Sequence, residues 1–421
     1  MKRIRHGYKM TELGEIPNEW EVKKLKDLGN SVIGLTYSPD DLVDGCNGIL
    51  VLRSSNIRNN RIVFDDNKYV NKDIQEKLIV KENDILICSR NGSKELIGKC
   101  ALIDKKAEGS SFGAFMTVYR SKYNKYLFNV FTSYMFKRQI YNNLGATINQ
   151  ITTDNLNNFK IIVPTIKEQE KIASILSTVD EQIDNVYALI EKNKELKKGL
   201  MQTLLIKGIG HTKFKKTEIG EISEEWETIN LGQLAEIKRG ASPRPISSPK
   251  WFSEKKNVGW IRISDVTKTK KYLNDTEQYL SDEGVAKSRL VKPNDLIMSI
   301  CATVGKPIIL NMEACIHDGF VVFDNLDKNK ILTDYLYYLL QKKEQDFKGM
   351  GQTGTQANLN TSIVGSTTIT LPSLKEQGKI ASILSEVDDK IVEYENKRQK
   401  LEELKKGLMQ QLLTGMIRVE I

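Results

Sequence analysis

The stretch RSSNIRNNR at 53–61 sets Arg53, Asn56, Arg58 and Arg61 within one short run. Guanidinium groups bond phosphates and the guanine edge, and amide side chains bond the adenine edge. The matching stretch further along offers Arg262, Lys268 and Lys270. Residues 109–153 hold no Asp or Glu but carry Arg120, Lys122 and Lys125 among tyrosines and phenylalanines. Cations without local carboxylates are what phosphate contacts need. Arg90 and Lys94 follow a β-rich run, and IKRGASPRP places Lys238, Arg239 and Arg244 on a loop stiffened by Pro243 and Pro245. Two amide-rich stretches complete the set: GATINQIT at 145–152, with Gln150, and GQTGTQANLN at 351–360, with Gln352 and Gln356. They serve equally as base-reading loops or as loop scaffold. Taken singly, each cation also reads as solvated surface, and Leu127, Phe128, Phe131 and Met135 have the helical spacing of a core face.

Bond-breaking chemistry finds little support. Gly349-x-Gly351-x-x-Gly354 has the dinucleotide-loop spacing, but a helical pattern precedes it where a strand is required. A methyltransferase commonly carries N/D-P-P-Y/F, and that tetrapeptide is absent. Asp84, Asp104 and Lys106 suggest a metal-dependent nuclease, yet the second half has Asn311 and Glu313 where Asp104 and Lys106 fall. His6, His211 and His317 are too scattered for a metal cluster or a nucleophile–base pair. No close cysteine pair suggests a metal or redox site, and the five cysteines read as free thiols of a reducing cytoplasm.

The elements that position these residues are repeated. KEQEKIASILSTVDEQIDNVYALIEKNKELKKGLMQTLL at 167–205 returns as KEQGKIASILSEVDDKIVEYENKRQKLEELKKGLMQQLL at 375–413, without a gap. TELGEIPNEWE at 11–21 returns as TEIGEISEEWE at 217–227. Each long copy has apolar residues at alternating steps of four and three: Ile172, Leu176, Val179, Ile183 in the first, and Ile380, Leu384, Val387, Ile391 in the second. Such a period marks a coiled-coil seam. Lys197 and Lys405 are polar members of it. Each helix should be about 57 Å long at about 1.5 Å per residue, too long to lie inside one domain of this size. The economical partner for each copy is the other. Pro164 and Pro372 end a β-branched run just before each helix.

Between the repeats the halves agree only in outline. LIVKENDILIC at 78–88 echoes LVKPNDLIMSI at 290–300, and LRSSNI at 52–57 echoes IRISDV at 261–266. Helical patterns cover Tyr126–Tyr141 and Ile331–Phe347. The reading is α/β: two domains, 22–165 and 228–373, separated by two long antiparallel coiled-coil helices, 166–206 and 374–415, in an internal pseudo-two-fold repeat. Segments 1–21 and 207–227 precede the halves, and 416–421 is a tail. The length of 421 residues allows each half its own core, and the net charge of +9 favours an acidic partner. No apolar run is long enough to span a bilayer. The N-terminus lacks the apolar stretch of a secretory signal. A coiled-coil scaffold carrying two protein-binding domains is the competing interpretation of the same features.

The chain resembles the specificity subunits of type I restriction-modification systems. The carriers are TELGEIPNEW and TEIGEISEEW, then IIVPTIKEQEKIASILSTVDEQI and ITLPSLKEQGKIASILSEVDDKI, then KKGLMQ-x-LL twice, and the tail LLTGMIRV. Gly378 replaces Glu170 of the first copy, and Leu35-Thr36-Tyr37-Ser38-Pro39 only loosely matches Ala241-Ser242-Pro243. The resemblance implies two target-recognition domains, each reading half of a split, asymmetric DNA site. It implies helices that set the spacer and bind two methyltransferase subunits, with two restriction (motor-nuclease) subunits joining them. This chain would be non-catalytic and bind no cofactor. S-adenosylmethionine, ATP and Mg would be used by the partners, in the cytoplasm.

Overall fold

The computed structural model describes residues 4–144, 149–351 and 359–421, and its two longest helices are Ile166–Lys207 and Leu374–Leu412. Strands Lys160–Val163 and Thr368–Leu371 lead into them, and Pro164 and Pro372 stop those ladders. A capping box then starts the first helix. The Thr165 hydroxyl and N–H donate to Glu168 Oε2 at 2.7 and 3.3 Å, and the Glu168 N–H donates back to Thr165 Oγ1 at 3.4 Å. The Gln169 and Gln377 amides donate to the Pro164 and Pro372 carbonyls at 2.8 and 2.9 Å.

The same glutamates explain the upstream repeat. Buried Trp20 donates its indole N–H to Glu168 Oε2 at 2.9 Å, and Trp226 donates to Glu376 Oε2 at 3.0 Å. The segment TEhGEIxxEW (h, apolar) thus supplies the hairpin and the indole, and KEQ supplies the acceptor. A cationic or imidazole nitrogen completes each set: Arg418 Nε lies 2.6 Å from Glu168 Oε1, and His211 Nε2 lies 2.9 Å from Glu376 Oε1.

Two compact units divide the chain: Met1–Tyr187 with Asn396–Ile421, and Ala188–Glu395. In the first unit, a four-stranded antiparallel sheet runs Cys100–Leu102, Ile85–Cys88, Met116–Arg120, Asn30–Ile33. Alternation along Ile85–Cys88 covers both faces. Ile85 and Ile87 join a core with Phe131, Phe136, Ile172 and Leu412, whereas Leu86 and Cys88 join a second core with Leu52, Phe112 and Val118. A second four-stranded sheet, Ser111–Phe112, Ile49–Leu52, Tyr69–Val70, Leu42–Val43, lies beyond that second core. The second unit repeats the plan with two five-stranded sheets. One runs Glu236–Arg239, Phe320–Asp324, Leu296–Ser299, Pro307–Leu310, Tyr272–Leu273. Leu296 and Met298 face the core shared with the long helices, and Ile297 faces the other. The turns entering the equivalent central strands match, with Asn83 at φ 67° and Asn294 at φ 71°.

One helical expectation needs correction. Tyr126–Tyr141 is not a single helix but two, Asn124–Thr132 and Tyr134–Asn143. Ser133 breaks the pattern by adopting an extended backbone and accepting the Phe136 N–H at 3.3 Å. Leu127, Phe128 and Phe131 are buried there, as their spacing suggests.

Both units contain a piece of each long helix. In the first, Ile172 and Leu176 are buried in one core with Leu412 and Leu413, and Lys405 Nζ binds both Asp180 oxygens at 2.7 Å. In the second, Ile380 and Leu384 share a core with Leu204 and Leu205, and Lys197 Nζ lies 2.6 Å from Asp388 Oδ1. Val387 and Ile391 are buried, whereas Val179 and Ile183 are half-buried. The two seam lysines are therefore ion-paired, each with an aspartate of the facing helix.

Candidate nucleic-acid interface

Three loops gather at one end of the central sheet in each unit. In the first unit they follow Ile33, follow Cys88 and precede Met116, because Ile33 pairs with Thr117 and Cys88 with Met116. In the second they follow Arg239, follow Ser299 and precede Phe320, through Arg239↔Val321 and Ser299↔Phe320. Gly34 and Gly240 occupy equivalent crossings: a Cβ at either would collide with the carbonyl of Gly113 or of His317. The skeleton is common, but the side chains on it differ.

In the first unit, Arg90 and Gln150 come together as a β-bridge. The Arg90 guanidinium lies over the Phe115 ring, 5.2 Å from its centroid, and Phe115 is 58% exposed. Asn91 Nδ2 donates to Ser54 Oγ at 3.2 Å, which ties in the 53–56 loop, and Asn149 Nδ2 donates to the Gly92 carbonyl at 2.9 Å. The result is an exposed cation, a stacking surface and amides on adjoining loops. A guanidinium on an exposed ring suits phosphate or base-edge contact.

In the second unit the same position is built around Asp318. Its backbone carbonyl accepts from Arg239 Nε at 2.7 Å, and its carboxylate accepts from Ser242 Oγ at 2.7 Å and Arg244 at 3.2 Å. The Ser242 hydrogen bond, with the Arg244 charge, holds the Asp318 carboxyl below the usual range against the opposing effect of burial. His317 Nδ1 accepts the Gly319 N–H at 2.9 Å, and burial pushes the imidazole pKa down. A neutral ring with Nδ1 so engaged carries its proton on Nε2, a donor. Phe115, Asp318 and His317 were not picked from sequence. The signal available was their place beside the final strand of each sheet, in GAF before MTVYR and HDG before FVVFD.

The remaining picked residues divide by what engages them. Arg120 is not a free cation: it binds Asp84 at 2.9 Å and the carbonyls of Lys77 and Ile79 at 2.7 and 2.5 Å. Asn56 is fully buried, and its amide bonds the Val63 carbonyl and Asn67 across its own hairpin. Both are corrected from DNA contacts to structural groups. Lys238 sits between Asp324 and Glu236, each at 2.5 Å, and those bonds raise its pKa. Arg61 binds Asp184 at 2.5 Å and Lys270 binds Glu395, so each ties its α/β domain to a long helix of its own unit. Arg53 and Arg58 pair with Asp66 and Asp65 at 2.7 Å, and Lys268 pairs with Glu277. Arg262 donates to Gln278 at 2.9 Å, and Lys94 lies 5.9 Å from the Tyr141 ring centroid. Lys122 and Lys125 line a cleft of about 1020 Å³ that also includes Glu170 and Ser174 of the first long helix, away from the loop cluster. Exposed pairs such as Arg58–Asp65 contribute little and are readily exchanged for a phosphate. Gln352 and Gln356 lie outside the described residues.

No metal-binding group of three or more His, Cys, Asp or Glu occurs among the described residues. Asp84 caps Lys81 N–H at 2.9 Å and Asp104 caps a turn at Ala107, which accounts for two members of the nuclease-like set. Gly349 and Gly351 end the helix Thr333–Gly351, so a helix does precede the third glycine of that fingerprint.

Two copies of one domain are what the comparisons report. The chain matches the family described as type I restriction modification DNA specificity domain twice, over residues 17–197 and 223–406. It belongs to the type I specificity subunits. A relative from Methanocaldococcus jannaschii named as the type I restriction enzyme MjaX specificity subunit is 31% identical, over 98% of this chain and 97% of that one. The MjaVIII specificity subunit of the same organism is 28% identical over 96% and 94%. A crystal structure of the type I system S subunit from M. genitalium shares the fold, with TM-score 0.61 at 16% identity, covering 94% of this chain and 96% of that one. A chain from a structure of type I system assembly and conformational transition gives TM-score 0.57 at 17% identity, covering 96% and 99%. As a specificity subunit, the chain is the non-catalytic, DNA-selecting member of its system. Among the described residues no helix is long and apolar enough to cross a membrane.

Proposed function

We propose that residues 22–165 and 228–373 of this specificity subunit each read one half of a bipartite, asymmetric DNA site through the loop cluster at the sheet end. One observation carries this. The loop before the equivalent strand carries Phe115, beneath the Arg90 guanidinium, in one unit but His317 and Asp318, the latter bonded by Arg244, in the other. A common scaffold with unlike polar groups selects unlike sequences.

The helices 166–206 and 374–415 pair as an antiparallel coiled coil in a pseudo-two-fold repeat and set the spacer between half-sites. Lys405–Asp180 and Lys197–Asp388 support this, since equivalent lysines meet equivalent aspartates. A polar pair at a seam position is a known way to fix register. Residues 1–21 and 207–227 anchor the domains through Trp20 and Trp226, and 416–421 closes on Glu168 through Arg418. The helices dock two methyltransferase subunits, and two restriction subunits complete the assembly. S-adenosylmethionine, ATP and Mg belong to those partners, in the cytoplasm. The test is binding of the chain, assembled with its methyltransferase, to bipartite targets of varied spacer. Affinity should peak at one length and fall at least tenfold for a change of two base pairs, and equal affinity at all lengths overturns the ruler.

A further inference from the structure

The two units differ at one place where their framework is the same. The Tyr126 hydroxyl donates to the Ile162 carbonyl at 3.0 Å, and the Tyr335 hydroxyl lies 3.2 Å from Thr370 Oγ1. Ile162 and Thr370 are equivalent in the repeat, each two residues before the proline. The helix Asn124–Thr132 therefore corresponds to the start of Thr333–Gly351, with Tyr126 on Tyr335. Asn129 then stands where the second unit has Tyr338, and Lys125 where it has Asp334. In the second unit the Tyr338 hydroxyl donates to Asp388 at 2.9 Å. Buried Lys271 lies 2.7 Å from Asp334, with its ammonium over the Tyr337 and Tyr338 rings. In the first unit the corresponding place, beside Asp180, is the cleft of about 1020 Å³.

The lining of that cleft points to a ligand. Asn124 and Asn129 are 2% and 3% exposed, both line it, and each has an amide oxygen without a hydrogen-bond partner. Their amide nitrogens are already engaged, on the Asn83 and Tyr119 carbonyls and on the Lys125 carbonyl. A buried acceptor without a donor is costly to keep. The helix Asn124–Thr132 starts at the cleft with no side-chain cap and no acidic residue in its first turn, whereas its counterpart has Asp334 there. A helix start favours an anion. Lys122 and Lys125 are exposed on the same wall. Two other charged lining groups are engaged, Arg61 by Asp184 and Asp180 by Lys405. Glu170 and Glu181 line the side formed by the long helix, and Glu170 is Gly378 in the second copy. Tyr123 and Phe128 add aromatic surface.

We propose that this cleft binds a mononucleotide. Its phosphate lies at the helix start between Lys122 and Lys125, and supplies the negative charge that Asp334 supplies in the second unit. The amide oxygens of Asn124 and Asn129 accept from the amino group of the base, and Glu170 accepts from the ribose hydroxyls. A ligand with an anion at one end and N–H donors at the other meets both the lysines and the orphan oxygens. An inorganic anion meets only the first, and a neutral amine only the second. The space is at the upper end of the about 300–1,000 Å³ usual for small-molecule sites. Because the second unit fills the same place with its own Tyr338 and Lys271, each chain holds one site. The site lies away from the loop cluster and stands apart from the reading of half-sites.

The test is isothermal titration calorimetry on the full chain, with AMP, GMP and CMP as probes and with inorganic phosphate and the free nucleosides as controls. At least one mononucleotide should bind at one site per chain, about tenfold or more tighter than its nucleoside or phosphate alone. K122A/K125A should weaken the nucleotide about tenfold and leave the nucleoside unchanged. N129Y, which copies the second unit, should abolish binding without lowering the melting temperature. N129L, which removes the amide at similar size, should weaken nucleotide and nucleoside alike. Where N129Y fails to fold, K122A/K125A decides the matter, because both lysines are exposed. Absence of binding by all three nucleotides overturns the proposal. Phosphate binding as tightly as every nucleotide also overturns it, leaving an anion site only. Nucleotide binding unchanged in both K122A/K125A and N129L overturns the placement. So does lost DNA affinity in K122A/K125A with nucleotide binding intact, which assigns the lysines to DNA phosphates.

Discussion

Arg90 and Arg120 look alike in the sequence, and their surroundings separate them. Arg90 is exposed on Phe115 and bridged to Gln150. R90A, F115A and Q150A should therefore weaken specific binding by about 1–3 kcal/mol each and relax discrimination in one half-site only, measured by titration of singly substituted targets. R120A should leave Asp84, 5% exposed, without its partner and lower unfolding stability by about 3 kcal/mol in urea melts, with base preference retained. The two positions differ because Asp84 lies 36 residues away from Arg120, a distance at which sequence pattern carries no information about pairing. Asn56 differs again: its amide donates to the nearby Val63 carbonyl and its side chain is fully buried, which residue type alone does not reveal. Glu168 adds a pH effect. Burial pushes its carboxyl up, but hydrogen bonds from Thr165, Arg418 and Trp20 outweigh this and hold it below the ordinary 4.5. A depressed carboxylate adds stability above its ordinary pKa, and that part is lost as pH falls through the lowered value. R418A should thus reduce the melting temperature most near neutral pH, and its deficit should shrink in melts run at about pH 3, below the ordinary value.

At the scale of elements, the long helices were legible because a 3.5-residue apolar period, a preceding proline and a second copy all agree. The lysines inside the seam were legible only as exceptions until the facing aspartates were seen. Lys405 and Asp180 are 13% and 18% exposed, so either partner alone is poorly solvated. K405A and D180A should each cost about 1–3 kcal/mol, and the double variant less than their sum, with a coupling of about 1 kcal/mol in a double-mutant cycle. Strict additivity would deny the pair a role in register. The break at Ser133 was not legible, because apolar spacing runs through it unchanged, while the cap that divides the helix is a single hydroxyl hydrogen bond. The loop clusters were half-legible. Arg90, Gln150, Arg239 and Arg244 stand out by type, but Phe115 and Asp318 gain meaning only when sheet pairing brings distant loops to one end.

Across the whole molecule, duplication separates what must stay alike from what is free to differ. The tryptophan–glutamate joints and the helix seams are shared, and the loop clusters are not. The central claim is that each half selects its own DNA half-site. Its most direct test is mapping methylated adenines across a host genome, before and after residues 22–165 are exchanged for the corresponding domain of a relative. One half of the bipartite motif should change while the other half and the spacer stay the same. An unaltered motif, or a change in both halves together, would contradict the account.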